Sequence, residues 1–141
     1  MDAAFRYWAW IVYGAVIVQI GFAGYGAFDV AGSVEDSTVD EDQVSDAFGL
    51  HLGLGYLIVL SGLILLILAF ASRGGRQRVT HSAILFGLLI LQVLLAWFGY
   101  EAAVIGFFHP INAVALAGLS FWIAWKAWKK EPLLERVAGG P

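Results

Sequence analysis

The chain has 141 residues, 60% hydrophobic and 13% charged, with a formal net charge of −3 and no cysteine. That balance is too apolar for a soluble domain, where about a quarter of residues are charged. The missing cysteines remove disulfides, thiolate metal sites, iron–sulfur ligation and covalent heme attachment, and the length suits one bundle rather than two domains.

Four apolar runs are each close to the ~20 residues a helix needs to cross the ~30 Å hydrocarbon layer. The first, Trp8–Phe28, opens on Tyr7, Trp8, Trp10 and Tyr13 and carries Gln19. It is too long for a cleavable signal sequence, and no small-residue cleavage site follows it cleanly. Residues 29–47 form an acidic stretch that reads as a solvated loop, with Ser45 or Asp46 expected to cap the second helix. Within it, Asp40-Glu41-Asp42 lacks the Gly and terminal Glu of a calcium loop. The second run, Leu50–Ala71, begins beside His51, and the basic loop 72–80 follows it.

The third run, His81–Tyr100, carries Gln92; His81 reads as an interfacial or capping residue at the far side from His51. Residues 101–108 are short, apolar and aromatic, expected to pack against the bundle mouth or lie in the membrane interface. Glu101, the one acid adjoining that mouth, is a candidate proton-handling group. The fourth run, His109–Ala127, has Pro110 in its opening turn, where proline is well tolerated. It closes on Trp122, Trp125 and Trp128 interleaved with Lys126, Lys129 and Lys130, an interfacial arrangement. The cytoplasmic tail is placed at 128–141, and its part after Pro132, ending in Ala138-Gly139-Gly140-Pro141, is expected to fray.

Charge orients these spans. Arg6, then Arg73, Arg76 and Arg78, then Lys126, Lys129, Lys130 and Arg136 all fall on one side. Asp29, Glu35, Asp36, Asp40, Glu41, Asp42, Asp46 and Glu101 fall on the other. The positive-inside bias predicts cytoplasmic termini and an outer acidic loop in a cell (plasma) membrane. An acidic outer face argues against nucleic acid as a partner. The expected fold is an all-α membrane protein, a four-transmembrane-helix bundle of two pseudo-symmetric helical hairpins.

The internal repeat behind that expectation is specific. Gln19-x3-Ala23-x2-Gly26 in the first run matches Gln92-x3-Ala96-x2-Gly99 in the third. His51, Gly55, Ile58 and Gly62 match His109, Ala113, Leu116 and Ser120, with identical offsets of +4, +7 and +11. At 100° per residue each set lines one helix face. The two glutamines, placed near the bilayer midplane, need hydrogen-bond partners and are expected to tie their helices to the bundle. A ligand-lining role is the alternative.

His51 and His109 each open a helix running from the acidic to the basic side, so both are placed at one depth. Taken singly, each would serve as an interfacial residue bonded to loop backbone. As a matched pair opposed across a bundle they suit axial ligation of a heme iron. Gly55 and Ala113 would give the macrocycle room, while Tyr25, Tyr100, Phe107 and Phe108 would cover its edges.

These motifs carry a resemblance. Phe48-Gly49-Leu50-His51 with Gly53, Gly55 and Tyr56, then Leu91-Gln92-Val93-Leu94-Leu95-Ala96, then Phe108-His109-Pro110-Ile111-Asn112-Ala113, resemble one four-helix half of heme A synthase. They also look like a set of uncharacterised four-span bacterial membrane proteins. The resemblance covers most of the chain from Val18 to Ala113. It implies a four-helix bundle in which His51 and His109 match the heme-ligand positions. Leu52 stands where that enzyme commonly has an arginine, and its loop cysteines are missing, so the resemblance implies the bundle and no particular reaction.

The expected function is binding of a b-type heme near the outer face, for electron transfer or heme handling, with a quinol or an outer redox protein as partner. The alternative is a non-enzymatic structural or accessory subunit of a larger membrane complex. In that case Gly14, Gly21 and Gly24 would form a packing face for other membrane subunits.

Overall fold

The computed structural model describes residues 1–33 and 40–129. It contains α1 (Asp2–Ser33), α2 (Glu41–Ala71), α3 (Gly75–Glu101), the single turn α4 (Ala103–Gly106) and α5 (Phe108–Lys129). Glu35, Asp36, Lys130, Arg136 and the tail expected to fray lie outside the described residues.

Four segments are long and apolar enough to cross a membrane: α1, α2, α3 and the stretch Ala103–Lys129. Their surfaces agree, because Ile17, Leu57, Ile67, Ile90 and Val114 are all exposed on the outside of the bundle. Such an apolar exterior is stable in lipid and would aggregate in water. The chain is thus a multi-pass membrane protein, all-α, folded as a four-helix bundle.

Each helix packs on two neighbours. α1 lies against α2 and α5, and α3 lies against α2 and α5, while α1 and α3, and α2 and α5, stay diagonal. This ring puts the two glutamine-bearing helices on one diagonal and the two histidine-bearing helices on the other. Phe5, Val12, Leu65, Leu85 and Ile123 fill the half nearer the basic end and are fully buried. Nearer the histidines the repeated face closes the core, with Ile58, Leu116, Gly62 and Ser120 buried at the +7 and +11 positions.

The helix ends differ from those expected. Most of the described part of 29–47 is helical, since α1 continues to Ser33 and α2 starts at Glu41. At 1.5 Å per residue the 32 residues of α1 span ~48 Å, well beyond the hydrocarbon layer. Hydropathy marks where a helix leaves lipid, not where it ends. The cap of α2 is neither Ser45 nor Asp46 but Asp40. Its carboxylate accepts the Gln43 backbone N–H at 2.8 Å, and Gln43 Oε1 accepts the Asp40 N–H at 3.1 Å. This reciprocal box satisfies donors that a helix start otherwise leaves open.

At the basic end the expected loop 72–80 shrinks to Ser72-Arg73-Gly74, because α3 already begins at Gly75. Gly75 has φ +72°, a value that favours glycine and lets the chain reverse this tightly. Residues 101–108 contain the turn α4, and Pro110 lies inside the first turn of α5.

Two glycines set the hairpin crossings. A Cβ on Gly26 would stand 2.8 Å from the Ala47 carbonyl oxygen, and one on Gly99 would stand 2.8 Å from the Gly106 Cα. Gly26 and Gly99 occupy the same place in the repeat, each seven residues after its glutamine. Both permit the next helix to come close just ahead of its histidine.

Candidate functional site

The site follows from the diagonal arrangement. His51 on α2 and His109 on α5 meet across the bundle, with ring centres 6.2 Å apart and planes inclined by 58°. Each is held by the glutamine of its own hairpin through the same pair of contacts. Gln19 Nε2 donates to the His51 carbonyl at 2.7 Å, and His51 Nδ1 lies 3.1 Å from the Gln19 carbonyl. Gln92 Nε2 donates to the His109 carbonyl at 3.1 Å, and His109 Nδ1 lies 3.1 Å from the Gln92 carbonyl.

These contacts decide the tautomers. A carbonyl oxygen only accepts, so Nδ1 of each imidazole carries the proton and donates it. In the neutral ring Nε2 keeps its lone pair, and the carbonyl behind Nδ1 makes it a better ligand. An imidazole nitrogen lies ~1.1 Å from its ring centre and metal–imidazole bonds run ~2.0–2.1 Å. Two imidazoles sharing one ion from opposite sides would therefore have ring centres ~6.3 Å apart. The observed spacing matches that value.

One difference between the hairpins bears on the two clamps. Three residues after His109 stands Asn112, 7% exposed, whose amide donates to Gln92 Oε1 at 2.6 Å and to the Leu88 carbonyl at 3.0 Å. Three residues after His51 stands Leu54, and Gln19 Oε1 is buried without a hydrogen-bond partner among the described residues. The second clamp is thus braced and the first is not. Asn112 had a sequence signal, an amide where the repeat has leucine, but its role needs the packed structure.

Around the rings lies a cavity of about 580 Å³, within the ~300–1,000 Å³ typical of cofactor pockets. Gly55 and Ala113 line it, with Phe48, Tyr56, Trp97 and Tyr100. Gly55 serves a further purpose: a Cβ there would meet Gln19 Nε2 at 3.1 Å, so the glycine makes room for the clamp itself. Of the expected edge residues, Tyr100 lines the cavity, but Tyr25, Phe107 and Phe108 do not and are exposed. Phe48 takes that place against His51, edge-on with 6.2 Å between ring centres.

Other expectations are placed as follows. Gln19 and Gln92 lie level with the histidines, and each bonds to the histidine of its own hairpin, not to the other glutamine. Glu101 ends α3 exposed and does not line the cavity. His81 lies apart, its Nδ1 2.6 Å from the Gln77 carbonyl and its ring against Trp122 at 4.8 Å. Trp125 and Trp128 are exposed, with the Lys129 ammonium 4.3 Å from the Trp125 ring centre, as interfacial residues would be. A Cβ on Gly14, Gly21 or Gly24 would meet nothing, so these glycines make no close approach within the bundle.

The donor set separates two kinds of metal. Among the described residues no three His, Cys, Asp or Glu side chains gather as ligands for an ion. A bare zinc ion takes four ligands and finds two imidazoles here. A macrocycle brings its own in-plane nitrogens and asks the protein only for axial ligands. Two imidazoles would meet what a macrocycle asks of a protein, whereas a four-coordinate zinc ion would lack ligands here. Comparison with family models, curated proteins and solved structures finds no match to this chain.

Proposed function

We propose that the chain is a membrane-embedded b-type heme protein with His51 and His109 as axial ligands. The observation that carries this reading is the pair of Nδ1-bonded imidazoles, 6.2 Å apart, facing a shared cavity. The resemblance of the same residues to half of heme A synthase points the same way.

Bound heme would supply one-electron chemistry, or be the cargo of a handling step. The chain's own contribution is positional. Gln19 and Gln92 fix both ring tautomers, and mostly apolar side chains wall the cavity beside the rings. Gly55 and Ala113 leave space beside the rings. Trp97, Tyr56, Tyr100 and Ser45 line the same cavity and offer hydrogen-bond donors to polar substituents of the ligand. The described Lys and Arg lie toward the other end of the helices, so carboxylate substituents must use these donors or reach water.

In this reading both termini are cytoplasmic and the membrane is the plasma membrane, as the positive-inside bias favours. The histidines then lie toward the outer side, where a quinol or an outer redox protein can reach them. Chemical extraction tests the assignment. One non-covalent b-type heme per chain is expected, with a reduced-minus-oxidised spectrum of six-coordinate iron. Protein that folds in heme-replete cells and carries none contradicts the reading.

A second reading, a structural subunit of a larger membrane complex, is favoured by one observation. Gly14, Gly21 and Gly24 on α1 have open space above them, which suits close packing by another transmembrane helix.

A further inference from the structure

A second cavity, of about 380 Å³, opens at the basic end of the bundle, far from the histidines. Its walls are Asp2 and Arg6 of α1, Arg78 of α3 and Ala127 of α5. Arg78 is compensated. Its guanidinium pairs with the Asp2 carboxylate, donates to Ser72 Oγ at 2.8 Å and lies 4.6 Å from the Phe5 ring centre. Its side chain is 14% exposed, so a charge is kept almost out of water. Arg6 is not compensated in this way: its Nε is buried and has no hydrogen-bond partner among the described residues. Among the described residues that line it, two guanidinium groups and one carboxylate leave one positive charge in excess.

An unanswered buried donor on a half-buried cation is costly, and an anionic oxygen is its natural complement. Guanidinium groups match phosphate in shape as well as charge. The surroundings point to lipid as the source. Tyr7 and Trp128, chain neighbours of Arg6 and Ala127, meet edge-to-face at 5.8 Å and are 61% and 52% exposed. Exposed aromatic rings at helix ends mark the headgroup level of a bilayer. We propose that this cavity seats the phosphate of an anionic phospholipid headgroup. The inference is independent of the heme reading and of which leaflet the basic end faces.

The test titrates purified full-length protein in neutral detergent with phosphatidylglycerol, phosphatidylcholine or inorganic phosphate, reading the thermal midpoint and, by native mass spectrometry, retained lipid. Phosphatidylglycerol is expected to raise the midpoint and to be retained, with the other two far weaker. Arg6→Gln should weaken phosphatidylglycerol binding about fivefold, the effect of one cation at a membrane surface. Arg6→Lys should keep part of the binding, which guards against a fold defect in the first variant. Arg76→Gln, an exposed cation outside the cavity, should leave it unchanged. Equal protection by inorganic phosphate would overturn the lipid assignment. Equal loss in Arg76→Gln, or no loss in Arg6→Gln, would overturn the site.

Discussion

His51 and His109 occupy equivalent positions but are not equally held, and the difference comes down to Asn112. By bonding both Gln92 Oε1 and the Leu88 carbonyl, Asn112 fixes the side chain that fixes His109. Asn112→Leu should therefore destabilise the bundle by ~1–2 kcal/mol, since interhelical bonds in membranes average ~0.6 kcal/mol and two are lost. Urea or detergent unfolding of the variant checks this. A double-mutant cycle of Asn112→Leu with Gln92→Leu should show coupling, because the residues touch. The pair Gln19→Leu and Gln92→Leu should instead be additive, each amide having its own partner. The histidines and glutamines were legible in the sequence because polar residues stand out in apolar runs and recur at matched spacings. The choice of partner was not, because an amide in lipid bonds to whatever the helix crossing brings near.

At the scale of the helix, the spans were legible and their ends were not. Apolar runs report the residues that lipid tolerates, while α2 starts where Asp40 and Gln43 close a capping box, nine residues before the run begins to read as apolar. Asp40→Ala should cost ~1 kcal/mol and shorten α2 at its start, measurable by loss of amide protection over the first turn. The repeated glycines were visible as a pattern, but only the crossing geometry gives the reason for them. Gly26→Ala must displace the Ala47 carbonyl, and Gly99→Ala must displace the Gly106 backbone. Each should lower stability by ~1–3 kcal/mol. Gly14→Ala meets nothing and should be neutral or stabilising by up to ~1 kcal/mol, as alanine is the better helix former. Thermal unfolding of the three variants in one detergent distinguishes tight crossings from open faces. Loss of stability in Gly14→Ala would mean that another chain covers that face.

Across the whole molecule the two hairpins form a ring with a pseudo-twofold axis, acidic at one end and basic at the other. The ring puts like elements on diagonals, so the histidines face each other and the glutamines stand behind them. The four spans, their alternating direction and the pairing of the histidines could be read from hydropathy, charge and the repeat. The distance between the rings, the locked tautomers and the cavity are properties of packing and had no counterpart in the sequence. Together they support two imidazoles serving one iron, and absorption spectra of the purified protein and of three variants test this most directly. The unsubstituted protein should show a low-spin, bis-imidazole heme spectrum. His51→Ala and His109→Ala should each lose that spectrum while keeping their helical content, because apolar spans insert without a cofactor. His81→Ala, at the far end of the bundle, should keep it. A colourless protein from heme-replete cells, or a spectrum that survives both substitutions in the pair, would contradict the account and leave the structural-subunit reading in its place.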